Sequence, residues 1–143
     1  MDFSAINWLA VGLSVLASMI IGSVWFSPKA FYPAWWKAIG KTDKDVPGDE
    51  SMSGMWKVWV MVIVCSLVQA VFMNLMVHAM GSMTGGATLA SGATAGFLLW
   101  LGFVAPSSLT NKLFADRVKA WYYEAGNHLV TFVVMGAISG ALG

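Results

Sequence analysis

The chain has 143 residues, of which 58% are apolar and only 10% charged, against about 25% charged residues in an ordinary soluble domain. Eight basic and seven acidic residues leave a formal net charge of +1, which excludes a polyanion-binding surface and hence nucleic acid as a partner. One cysteine and two histidines give neither an intrachain disulfide nor a metal cluster, so no metal and no other cofactor is expected.

The first apolar run, Phe3 to Phe26, holds no charged residue, and a bilayer core takes about 20 such residues. The flank Met1-Asp2-Phe3 carries no positive charge, and the run is longer than a signal-peptide core, so it reads as a retained span. Pro28 then discourages continuation, because its ring removes a donor and crowds the preceding turn. The stretch GSVWFSPKAFYPAWWKAIG, Gly22 to Gly40, follows. Phe31, Trp35 and Ile39 recur at helical spacing and are flanked by Lys29, Lys37 and Lys41, which predicts a short interfacial helix with rings inward and ammonium groups toward lipid phosphate. Trp25, Trp35 and Trp36 form an aromatic lip. It reads either as an interfacial belt or as the rim of a lipid- or ligand-binding site. The polar linker Thr42 to Ser53 comes next, where Asp49 or Ser51 could cap a following helix.

Three further apolar runs complete the chain. The expected spans cover about 4–26, 58–80, 88–109 and 126–142, the last being short. None shows the alternating polarity of a membrane barrel strand. The predicted fold is therefore all-α: a single-domain integral membrane bundle of four transmembrane helices, with the aromatic interfacial helix after the first. Cys65 lies in an apolar run and reads as a small buried hydrophobe. Pro106 is expected to kink the third span, with Ser107, Ser108, Thr110 and Asn111 re-satisfying the freed backbone groups. A kinked third helix facing the Trp25 mouth would place a polar pocket at that end.

All eight basic residues fall in the first and third connections, and none in the N-terminus, the second connection or the C-terminus. The positive-inside rule puts both basic loops in the cytoplasm and both termini outside, in the inner membrane of a bacterium.

No Asp, Glu, Lys or Arg lies well inside a span, so a charged coupling group for ion-driven transport is lacking. The polar groups that do enter the runs are Asn7, Gln69, Asn74, His78 and His128. Asn7 and Asn74 should share the outer half and either pair or meet His78. They serve either as glue between helices or as the lining of a small-solute path. His78 should lie near the outer end of the second span and His128 near the cytoplasmic start of the fourth. Gly92/Gly96, Gly136/Gly140 and Ser18/Gly22 are spaced for close helix contact, within the chain or in a homo-oligomer. No catalytic residue is assigned. Glu124 and His128, four apart, are the one pair that could meet as acid and base on a helix face.

Phe3 to Val11 matches an F-x-x-I-N-W-L-A-V stretch. The aromatic pair Trp25-Phe26, the Ser27-Pro28 step, Trp35, Lys37 and Gly40, and more loosely Gly102, Phe103 and Pro106, continue the pattern. In these residues the chain resembles the DUF1761 family of bacterial membrane proteins. The resemblance implies four spans and brings no established activity and no catalytic residue. The leading expectation is a small non-enzymatic membrane protein in contact with lipid, acting as an oligomer or a partner-binding subunit. The alternative is a small-solute transporter or channel with a polar path near Asn7, Asn74 and His78.

The charge asymmetry makes the orientation testable. Single cysteines placed between residues 81 and 87, in a Cys65→Ser background, should react with a membrane-impermeant maleimide added outside intact cells. Labelling only after permeabilisation would reverse the orientation.

Overall fold

The computed structural model describes residues 2–48 and 54–143; the expected cap at Asp49 or Ser51 lies outside them. Phe3–Ala5 is a single 3-10 turn held by Asp2. Helix α1, Trp8–Trp25, begins only after Asn7. The Asn7 side-chain oxygen accepts the N–H groups of Leu9 and Ala10, both at 3.1 Å, which satisfies two of the donors a helix start leaves open. The first span is thus four residues shorter at its N-terminus than hydropathy alone suggests, because an asparagine caps more readily than it sits inside a helix.

Pro28 does end α1, and the chain turns through residues 27–31 into the short helix α2, Tyr32–Ala38, with Pro33 in its first turn. This is the expected aromatic helix. Gly40, at φ +86°, closes it, and the Arg117 side chain lies so near that a methyl on Gly40 would fall 2.6 Å from its guanidinium. Helix α3 runs Met55–Ser82. Helix α4, Leu89–Leu99, starts with a capping box in which the Thr88 and Ser91 side chains each take the other's backbone N–H.

Pro106 does not end the third span. Residues Trp100–Val104 widen into a π-helical turn, which passes directly into α5, Ala105–Phe114, and the apolar stretch is continuous over Leu89–Phe114. A π turn moves the carbonyl that the proline ring would strike and leaves the helix running. Ser107 donates to the carbonyls of Phe103 and Val104 at 2.7 and 3.2 Å, Ser108 to Ala105 at 3.2 Å and Thr110 to Pro106 at 3.0 Å. The last helix, α6, covers Val118–Leu142, not about 126–142. The expected boundary stopped at charge, whereas the helix carries Lys119 and Glu124 in its first two turns.

Four helical stretches are therefore long and apolar enough to cross a bilayer: Trp8–Trp25, Met55–Ser82, Leu89–Phe114 and Val118–Leu142. They run up and down in turn. Asn7 Nδ2 donates to the Leu142 carbonyl at 3.0 Å and the Asn7 N–H to Asn74 Oδ1 at 3.0 Å, which ties three of the helices at the end holding both termini. The eight basic residues all lie at the opposite, basic end.

The closest packing is between α4 and α6. A methyl on Gly92 would overlap the Gly136 carbonyl oxygen, one on Gly96 the Phe132 carbonyl, and one on Gly140 the Thr88 carbonyl. The small-residue pairs of these two helices are thus used within the chain. The core of Val11, Ala70, Met73, Val77, Ala95 and Met135 sits beside this contact, in the terminal half of the bundle. Cys65, expected to be buried, is exposed.

Gly136→Ala should destabilise the protein by about 1–3 kcal/mol, since two backbones must separate. Gly12→Ala, in open space on α1, should be neutral or stabilising by up to about 1 kcal/mol. Unfolding in detergent micelles followed by circular dichroism compares them. Equal effects would show that the glycine contact does not set the packing.

Candidate functional site

The aromatic lip is built onto α6. Trp25 Nε1 donates to the Tyr123 carbonyl at 2.9 Å, and Gly126 leaves room for its ring, since a methyl there would lie 2.7 Å from it. Trp35 Nε1 donates to Glu124 Oε1 at 2.9 Å, and Lys112 of α5 pairs with the same oxygen at 3.0 Å. Trp36 is buried and its Nε1 donates to the Thr42 carbonyl at 2.9 Å. Trp100 and Trp121 make similar ties, to the Ala125 carbonyl at 3.1 Å and to Ser108 Oγ at 3.0 Å. Four of the eight tryptophans, Trp25, Trp35, Trp100 and Trp121, therefore hold the bundle together through the indole N–H, a role invisible in their spacing. Trp8, Trp56 and Trp59 stay exposed, as ring positions in a lipid-facing belt would be.

Beneath the lip lies a pocket of about 730 Å³, within the range of small-molecule sites. Its roof is α2, through Trp35 and Trp36, with Lys41 and Val46–Gly48 of the linker. Asp45 anchors that linker: its carboxylate accepts the Thr42 N–H at 2.7 Å and the Thr42 hydroxyl at 2.9 Å. These two bonds hold the Asp45 carboxyl below the usual carboxylate range. What these bonds contribute to the turn is present in full above the ordinary carboxylate range and fades as pH falls through that lowered value.

One wall is α1, with Ser18, Gly22 and Phe26. The other is α3, with Trp59, Met61, Val62 and Cys65, all of them exposed. The floor is polar and neutral: Ser66 and Gln69 of α3 with Asn127, His128 and Thr131 of α6.

The position of His128 follows from the true start of α6. It stands ten residues, about 15 Å, inside the helix, near its middle and not at its mouth. Asn127 is 8% exposed, and its Nδ2 has no hydrogen-bond partner; the same holds for the buried Nδ1 of His128. Glu124 does not join His128 in an acid–base pair, because its Oε1 is shared by Trp35 and Lys112. Gln69 thus falls in the same pocket as His128.

Asn7 and Asn74 meet elsewhere, in the tie at the terminal end. His78 belongs to that half of α3, and its Nε2 is buried without a partner. The pocket lining includes no residue of α4 or α5, so the pocket is at the expected end but is framed by the first, second and fourth spans. Among the described residues no group of three His, Cys, Asp or Glu could hold a metal ion.

Fold and site together define a four-helix bundle able to span a membrane, packed tightly at one end and holding an open pocket at the other. The chain belongs to the DUF1761 family, described as protein of unknown function, whose profile matches residues 9–140. Comparison with curated proteins gives no match, and comparison with solved structures gives none.

Trp35→Phe removes one hydrogen bond and should cost about 1 kcal/mol. Glu124→Ala removes both bonds and strips Lys112 of its counter-charge, and should cost about 2 kcal/mol after allowing for partial exposure. The double variant should fall short of the sum, because the two residues share one contact. Additive losses in detergent unfolding would show that Trp35 and Glu124 act separately.

Proposed function

We propose that this protein is a non-enzymatic component of the bacterial inner membrane that holds one apolar-tailed molecule taken sideways from the bilayer. The observation that carries this reading is the lateral pocket between α1 and α3, with apolar walls and a polar floor. A soluble ligand would favour an aqueous mouth; in this reading the guest enters past the lining residues Met19 of α1 and Met61 and Val62 of α3, at a level that four spanning helices would place in hydrocarbon. In this reading the basic loops face the cytoplasm, and Lys41 and the linker cover the pocket from that side.

The partner-binding role follows from the cargo: a bundle with no acid–base pair at its pocket delivers or withholds a molecule and leaves its chemistry to another protein. Self-association has less support than the sequence offered, since Gly92, Gly96, Gly136 and Gly140 are engaged inside the chain. A solute path through Asn7, Asn74 and His78 has less as well, since Asn7 and Asn74 tie the terminal end together.

Gly22 supplies the test. It lines the pocket, and a methyl there would meet nothing within 4 Å, so Gly22→Phe has room to leave the backbone and should place its ring in the pocket. Native mass spectrometry of the protein released from membranes in mild detergent should show one apolar-tailed adduct on the wild type and none on Gly22→Phe. An adduct retained equally by both, or absent from the wild type, would overturn the proposal.

A further inference from the structure

Helix α2, the roof of the pocket, has 7 residues, too few to stand as a helix on its own. It is held by what its side chains reach. Phe31, its N-cap, packs on Trp25 of α1 and on Tyr123 of α6, with ring centroids 4.8 and 5.6 Å apart. Past its far end the Arg117 guanidinium lies over Gly40. Trp36 turns its indole N–H back to the Thr42 carbonyl, and Asp45 closes the turn at Thr42. These bonds join α2 to its own linker and not to the bundle. Trp35 is different: its Nε1 reaches across to Glu124 Oε1 of α6, at 2.9 Å.

That tie is also unlike the other indole bonds to the bundle. Trp25 and Trp100 donate to backbone carbonyls, whose place is set by the helix. Trp35 donates to a side-chain oxygen, which Lys112 of α5 holds from the other side at 3.0 Å. Lys112 and Glu124 are 24% and 18% exposed, so water reaches the junction and can replace the indole. A short element held by ring contacts and a water-accessible hydrogen bond lies at the low end of local stability, where lids over binding sites are found.

We propose that α2 is a door between the pocket and the aqueous phase at the basic end, and that the Trp35–Glu124 bond is its latch. This inference rests on the pocket reading above and adds how the pocket is regulated. Glu124 is a positioning residue: it is not part of the pocket lining, and it acts by holding Trp35. With the latch closed the guest is withheld. With it open the head of the guest meets water, where a partner can take it.

Cys65 lines the pocket and stands ten residues, about 15 Å, inside α3. In a bilayer, a charged thiol reagent reaches that depth through water in the pocket and not through lipid. The protein in phosphatidylcholine nanodiscs is treated with a sulfonate-bearing methanethiosulfonate, and the rate of Cys65 modification is read by mass spectrometry. Trp35→Phe and Glu124→Ala should each raise the rate roughly tenfold, about the worth of one such hydrogen bond. The double variant should match the single ones, since all three open the same latch. Glu124→Gln, which keeps an acceptor oxygen, should stay within about threefold of the wild type. Trp121→Phe deletes an indole bond between α6 and α5 and should leave the rate unchanged. Gly22→Phe, with its ring in the pocket, should slow the reaction in the wild type and in Trp35→Phe alike. Trp35→Phe carries the test if Glu124→Ala does not fold. A wild-type rate in Trp35→Phe, or an equal rise in Trp121→Phe, would overturn the latch and leave the pocket standing, provided Gly22→Phe still slows the reaction. A rate that Gly22→Phe does not slow would overturn both.

Discussion

The contact between the backbones of α4 and α6 sets the arrangement of everything else. Gly92, Gly96, Gly136 and Gly140 remove the side chains that would keep the two helices apart, and a membrane offers no hydrophobic force between helices to replace such packing. Once α6 is fixed against α4, its remaining surface in the terminal half takes Val11 of α1 and Ala70, Met73 and Val77 of α3. The basic half of α6 presents larger and more polar groups: Tyr123, Glu124, Asn127 and His128. There the helices cannot close to the same distance. What joins them instead is a set of indole N–H bonds reaching across the gap, from Trp25 and Trp35 to α6. The pocket is the space these long ties leave.

Polar groups are settled incompletely at both ends. At the terminal end, the Asn7 backbone and side chain and the Asn74 oxygen meet in good geometry, while Asn74 Nδ2, His78 Nε2, Ser14 Oγ and Ser139 Oγ are buried without partners. At the basic end the carboxylate of Glu124 is satisfied twice, while Asn127 Nδ2 and His128 Nδ1 are buried short of partners. Polar groups deep in a spanning helix are expensive unless something meets them.

Hydropathy and charge made most of the fold legible. Four runs became four helices, Pro28 became a break, and the Phe31, Trp35 and Ile39 spacing became α2. The misread boundaries share a cause. Apolar content marks where a helix could lie in lipid, whereas hydrogen bonding and capping decide where it begins and ends. Asn7 therefore shortened the first span, and Lys119 and Glu124 did not shorten the fourth. Sequence periodicity carries no sign of the wide π turn that precedes Pro106.

The site was harder to see because it depends on which faces meet. Gln69, His128, Trp35 and Trp36 were each conspicuous as polar or aromatic residues in apolar surroundings, but nothing in their spacing says that all four border one pocket. Asn127, which lines the same pocket, looked like an ordinary residue beside a histidine. Its signal lies in register: with Thr131 it forms an i, i+4 polar pair on the side of α6 that turns away from the Gly136 and Gly140 seam. A helix that is glycine-lined where it is gripped and polar where it is not has two different neighbours. One is α4, which needs no side chains between the backbones. The other is the pocket, which Asn127 and Thr131 line.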